Sequence, residues 1–162
     1  MSLNSERPHL LVLPEDDANR QIANGFVLNT RLDGRRIQVL TPPGGWLKVL
    51  DCLCKEHVKG LQANPERRIV LLIDFDDDAV NRSAYVRGQI PPQYADRVFV
   101  LGVESEPERL RAACNKKFEP IGEALADECA ENTTDLWSHA LLKHNAMELA
   151  RLTADVKPFL FV

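Results

Sequence analysis

The sequence predicts an α/β protein: an open, mostly parallel sheet of about four strands with helices on both faces, then a helical C-terminal section. Three observations carry this. Short, wholly apolar runs at 10–14, 69–73 and 98–103 read as strands buried on both faces, which is the habit of parallel sheets. Longer amphipathic stretches separate them, as crossover helices require. After about residue 119 the alternation stops and only helical patterning continues. At 162 residues, with 44% hydrophobic and 27% charged residues, the chain has the size and composition of one ordered domain. We read 1–118 as the α/β core and 119–162 as a helical extension packed on the same domain.

The elements follow in order. The first strand spans 9–14 (HLLVLP). Asp16 or Asp17 caps the next helix, whose apolar face is Ala18, Ile22 and Phe26. Asp33-Gly34 marks a turn, and 37–40 is the second strand. The segment 41–45 (TPPGG) leads into a helix with a predicted seam of Leu47, Leu50, Cys54, Val58 and Leu61, ended by Asn64-Pro65. The third strand, 69–73 (IVLLI), runs into Asp74-Phe75-Asp76-Asp77-Asp78. Residues 79–96, with Pro91-Pro92, read as a polar loop, and 97–103 (RVFVLGV) as the fourth strand. Ser105-x-x-Glu108 has the form of a capping box with Pro107 in the first turn. Ile121, Ala124, Leu125 and Cys129 give one helical face, and Thr133/Thr134 and Asn145-x-x-Glu148 offer two further helix starts. Trp46 and Trp137 fall among helical apolar residues and are assigned to the core.

Charge and cysteine usage narrow the function classes. The net charge is −4, from 20 basic and 24 acidic residues, so a protein that coats nucleic acid by charge alone is excluded. No apolar run approaches the about 18 residues a membrane helix needs, and the first residues lack a signal-peptide pattern, so a cytoplasmic protein is expected. The four cysteines read as small hydrophobes in a reducing compartment, and zinc is not expected: Cys52 and Cys54, two apart on a helix, do not face each other. Neither G-x-G-x-x-G nor a Walker sequence occurs. Gly44-Gly45 reads as a turn, and His139 and His144 as surface or interface residues.

Chemistry concentrates where a parallel sheet binds its ligands, beyond the carboxyl ends of the strands. Glu15, with Asp16 and Asp17, follows the first strand; Asp74 and Asp76 follow the third, with Asp77 and Asp78 beyond; Glu104 follows the fourth. In an extended segment Asp74 and Asp76 point the same way and share one site. So many carboxylates in one crevice repel unless a cation neutralises them, and Mg²⁺ (or Mn²⁺) accepts one or two carboxylates with waters and phosphate oxygens. Arg82 and Arg87, after the aspartate run, are candidates to contact a substrate phosphate or to balance the aspartates.

Glu15 in LLVLPEDDANRQIANGF and Asp74-Phe75-Asp76 in IVLLIDFDDDAVNR resemble the Toprim domain of topoisomerases, bacterial primases and overcoming-lysogenization-defect nucleases. The resemblance covers 9–104 and implies a Toprim/Rossmann-like fold. It further implies Mg²⁺ held by Asp74 and Asp76, with Glu15 as general acid/base or further ligand in phosphodiester chemistry. Asp78 and Glu104 are then candidates for a second ion. Two positions depart from the pattern: Asp78 stands where glycine is frequent, and Pro14 precedes the glutamate. The implied function is a Mg²⁺-dependent nuclease or nuclease-like subunit, with a partner such as an ATPase supplying the grip on nucleic acid. A second reading keeps the same scaffold for protein binding without catalysis.

The same residues also resemble a response-regulator receiver domain. The acidic pair follows the first strand, Asp74 stands as phosphoacceptor, Ser105 as the hydroxyl after strand four and Lys157-Pro158 as the lysine-proline ending. The spacings on either side of Asp74 are longer than a receiver allows.

Overall fold

A computed structural model describes residues 2–162. The chain is an α/β protein with a four-stranded, all-parallel sheet in the order β2-β1-β3-β4. The elements are β1 (His9–Pro14), α1 (Asp17–Val27), β2 (Ile37–Val39), α2 (Trp46–Cys52), α3 (Val58–Ala63), β3 (Arg67–Leu72), α4 (Ala79–Gln89), β4 (Val98–Leu101), α5 (Pro107–Cys114), α6 (Phe118–Glu131) and α7 (Ala146–Leu160).

Strand alternation sorts the apolar runs into two layers. Leu11 and Leu13, Ile69 and Leu71, and Val98 and Val100 face one side, where they meet Val49, Leu50, Leu53 and Leu61 together with Val86 of α4. Leu10, Val12, Val70, Phe99 and Leu101 face the other, against Ala23 of α1 and Val156 and Leu160 of α7. α1 also packs on α5 and α6 through Ala18, Ile22, Leu110, Ile121 and Leu125. Helices therefore cover both faces, and the C-terminal helices close one of them. Trp46 packs against the first layer and Trp137 against the second, each partly buried. No helix among the described residues is long and apolar enough to cross a membrane.

Four local expectations are corrected. Residues 79–96 are not a loop: α4 occupies 79–89 and a short 3₁₀ turn follows at Pro92–Tyr94. Only Ala79 and Val86 of α4 are buried, two turns apart, too narrow a stripe to stand out in the sequence. The helix after Gly45 buries Val49, Leu50, Leu53 and Leu61, whereas Leu47 is 56% exposed and Cys54 is exposed. Its phase is reset by a π-helical turn at Leu53–His57 between α2 and α3, in which the Val58 amide donates to the Leu53 carbonyl.

The Ser105 capping box is absent. Glu106 is the N-cap of α5, and the Ser105 carbonyl instead accepts from Asp76 N at 3.2 Å. Residues 133–142 form turns rather than a helix, stapled by the Glu128 carboxylate, which accepts from Leu136 N at 2.8 Å and Trp137 N at 3.1 Å.

Backbone pairing continues past the ends of the strands and positions the loops that carry the acids. Ile73 N donates to Leu101 O at 3.0 Å, and Phe75 N to Val103 O at 3.1 Å. Gly102 makes this approach possible: a Cβ there would lie 1.6 Å from the Ile73 carbonyl oxygen.

Candidate functional site

The strand order reverses direction between β1 and β3, so the crevice at their carboxyl ends is where a doubly wound sheet binds ligands. Glu15 leaves β1 at that point with its backbone held on both sides. Its amide donates to Leu72 O at 2.8 Å, and its carbonyl accepts from Gly44 N at 2.9 Å and Gly45 N at 3.2 Å. Asp16 is extended and caps α1, its Oδ1 accepting from Asn19 N at 3.0 Å. Asp74 lies two residues beyond β3, and its amide donates to Glu15 Oε1 at 3.4 Å.

Asn19 ties these residues together. It is fully buried, and its Nδ2 donates to Asp16 Oδ1 at 2.9 Å and to Asp74 Oδ1 at 2.8 Å. Carboxylate oxygens of Glu15, Asp16 and Asp74 all lie within 4.8 Å of one another. Glu15 and Asp74 are each only 8% exposed. Burial, followed by the Asp74 charge, pushes the Glu15 carboxyl up to about 8. Burial likewise raises Asp74 to about 6, against the opposing pull of the Asn19 hydrogen bond. The Asn19 Oδ1 atom is buried without a hydrogen-bond partner among the described residues.

The other acids stand apart from this inner cluster. The extended geometry expected for Asp74 and Asp76 does not hold, because Asp76 and Asp77 both adopt left-handed backbone conformations, at φ 49° and 62°. Asp76 is thereby turned to Arg82, whose Nη1 donates to Asp76 Oδ2 and to the Asp74 carbonyl, both at 2.9 Å. The Arg82 guanidinium lies 4.3 Å from the Trp46 ring centroid. Asp77 faces Arg109 at 3.4 Å. Asp78 occupies the N-cap position of α4 without a side-chain capping bond. Glu104 approaches His144 Nδ1 at 3.7 Å. A crevice of about 340 Å³ opens along this outer rim, lined by Asp76, Asp77, Ser105, Glu106 and Arg109.

Of the two candidate arginines, the fold brings only Arg82 to the acids. Arg87 is drawn to Glu148 at 3.0 Å. The lysine of the receiver-like ending is also elsewhere: Lys157 lies inside α7 and donates to Asn132 Oδ1 at 2.6 Å and to Ala130 O at 3.3 Å. Sequence reasoning missed Asn19. Its signal was present, since Asn19 lies one turn beyond Glu15 among the buried positions Ala18, Ile22 and Ala23, where a polar residue needs partners. No protein-family model matches the chain, and no curated protein and no solved structure is significantly similar to it.

Proposed function

We propose that the chain is a Mg²⁺-dependent, Toprim-like protein that acts on phosphodiesters of nucleic acid as a nuclease or nuclease subunit. One observation carries the reading: Glu15 and Asp74, from neighbouring strands, are buried together at the crevice where the sheet reverses. Burying two like charges is costly unless protons or a cation neutralise them. The donor set fits Mg²⁺ or Mn²⁺, which prefer oxygen ligands. The unpartnered Asn19 oxygen, on an amide that already binds two of the three acids, fits such a site as well.

When bound, a divalent ion supplies charge stabilisation at phosphate oxygens. Asp74 and Asp16, oriented by Asn19, hold it. Glu15, buried beside Asp74 at the same crevice, serves as general acid or base. Asp76 stands at the rim, and Arg82, which holds its carboxylate, offers its remaining guanidinium N–H groups to a substrate phosphate there. The acidic chain has little charge with which to hold a polymer, so its grip comes from a partner such as an ATPase.

Thermal unfolding with and without Mg²⁺ or Mn²⁺ tests the reading. The ion raises the Tm of the native chain by binding the folded state. Asp74→Asn removes most of that rise, and an equal rise in the variant refutes the site.

A further inference from the structure

The π-helical turn between α2 and α3 creates a second grouping of metal-ligating side chains, remote in sequence from the acids described above. Cys52, Glu56 and His57 each place one ligand atom so that all three lie within 4.8 Å of one another. In a regular α-helix residues five apart diverge by about 140°. The wider turn, closed by the Val58 amide on the Leu53 carbonyl, brings His57 round to the face of Cys52. π-Helical turns are rare and occur frequently at functional sites.

We propose that Cys52 Sγ, the Glu56 carboxylate and the His57 imidazole form a binding site for a borderline divalent transition ion of the Zn²⁺ class. The ligand set is thiolate, imidazole and carboxylate, the three that zinc accepts in tetrahedral sites, and three protein ligands leave the fourth position to solvent. Its mixture of soft and borderline donors separates it from the all-oxygen cluster of Glu15, Asp16 and Asp74. Cys52 and His57 are half-buried and Glu56 is exposed, so the site opens to solvent on the Glu56 side. Cys52 Sγ lies 3.1 Å from Glu56 Oε2. That hydrogen bond explains the thiol and the carboxylate as a pair but not the arrival of the imidazole beside them.

The Cys52–Glu56 hydrogen bond leaves the His57 ring out. A neutral imidazole presents a nitrogen lone pair to a metal ion. Burial and Glu56 push the Cys52 thiol up to about 11. Binding must therefore expel the thiol proton to solvent, with the sulfur electron pair passing to the ion.

Co²⁺, the spectroscopic substitute for zinc, tests the site on the full chain in excess Mg²⁺, which occupies oxygen-only sites. One equivalent of Co²⁺ is expected to give a thiolate-to-cobalt charge-transfer band and the intense visible bands of four-coordination. Zn²⁺ abolishes both bands and releases protons. Cys52→Ser removes the charge-transfer band and weakens Zn²⁺ binding at least about tenfold, His57→Gln weakens binding similarly but keeps the band, and Cys54→Ser changes neither. No band with excess Co²⁺, or a band that survives Cys52→Ser, overturns the proposal. Should Cys52→Ser fail to fold, alkylation of the native chain decides. Zn²⁺ protects Cys52 and leaves Cys54 reactive if the site exists, and equal alkylation of Cys52 with and without Zn²⁺ overturns it.

Discussion

Asn145 binds Gly102 as a neighbouring strand would, its Oδ1 accepting from Gly102 N at 3.1 Å and its Nδ2 donating to Gly102 O at 2.9 Å. β4 is one of the two edge strands of the sheet, and α7 and the turn before it complete its outer rim. Glu148 Oε2 accepts from Val100 N at 2.9 Å, and Arg151 donates to Val98 O at 2.8 Å. Residues spaced three apart, from the N-cap into α7, thus serve alternate residues along β4 and just past its end. The buried Glu148 carboxylate is balanced by Arg87 and Arg151. An open edge invites pairing with other chains, and this one is closed by side chains.

Asn145→Ala leaves the amide and carbonyl of Gly102 without partners. The expected loss is about 2–3 kcal/mol, read as a lower urea midpoint at unchanged slope. Light scattering should show more association on partial unfolding. A midpoint within error of the native chain removes the edge-closing role.

The acid pair sets a pH dependence in metal-free protein. Glu15 and Asp74 have folded pKa values above their unfolded ones, so between those values the folded state binds more protons. Their contribution is therefore full at low pH and is lost as pH rises through the folded values. The Tm should fall from about pH 5 to about pH 8, and Glu15→Gln should flatten that fall. Saturating Mg²⁺ should flatten it too, by neutralising the ionised pair. A Tm that rises over this window contradicts the raised pKa values.

Cleavage of a phosphodiester by the isolated chain should be weak, better with Mn²⁺ than Mg²⁺, and should decline as salt rises because holding the polymer is limiting. Glu15→Gln and Asp74→Asn should each abolish it. Activity surviving Glu15→Gln and Asp74→Asn belongs to another site or a contaminant. No cleavage even with a co-purifying partner makes protein binding without catalysis the better reading.

A small phosphodonor with Mg²⁺ separates the nuclease reading from the receiver-like one. The receiver's lysine has no counterpart at Asp74, since Lys157 is committed to Asn132 and Ala130. Intact mass should show no phosphoryl adduct. A labile adduct on Asp74 reverses the ranking.

Two glycines should respond oppositely to alanine. A Cβ at Gly122 would meet the Ile22 carbonyl oxygen at 1.9 Å, so Gly122→Ala must push α6 off α1 and should cost about 1–3 kcal/mol or more. Gly88, inside α4, has open space around its Cβ position, and Gly88→Ala should gain about 0.5–1 kcal/mol. Thermal or urea unfolding of both variants checks the pair.

By itself, the sequence determined the α/β class, the strands and the acids at their carboxyl ends. Residues 10–14, 69–73 and 98–101 are apolar on both faces, and that composition is stable only inside a sheet covered on both sides. Asp16 as a cap was legible for a similar reason, because capping depends on residues only three apart. Tertiary structure decided which acids meet. Left-handed backbone at Asp76 and Asp77 turned the aspartate run away from the extended path, while the parallel pairing of β1 with β3 set Asp74 beside Glu15. It also decided how Asn145-x-x-Glu148 is used. The spacing of a capping box is present, but both side chains reach the edge of β4, because unpaired strand groups buried under α7 have no water to bind. The π turn is the same lesson on a smaller scale. Helical periodicity assumes a constant turn, so it could not bring His57 to Cys52, whereas in the folded chain the wider turn also leaves Leu53 and Leu61 in the same core layer.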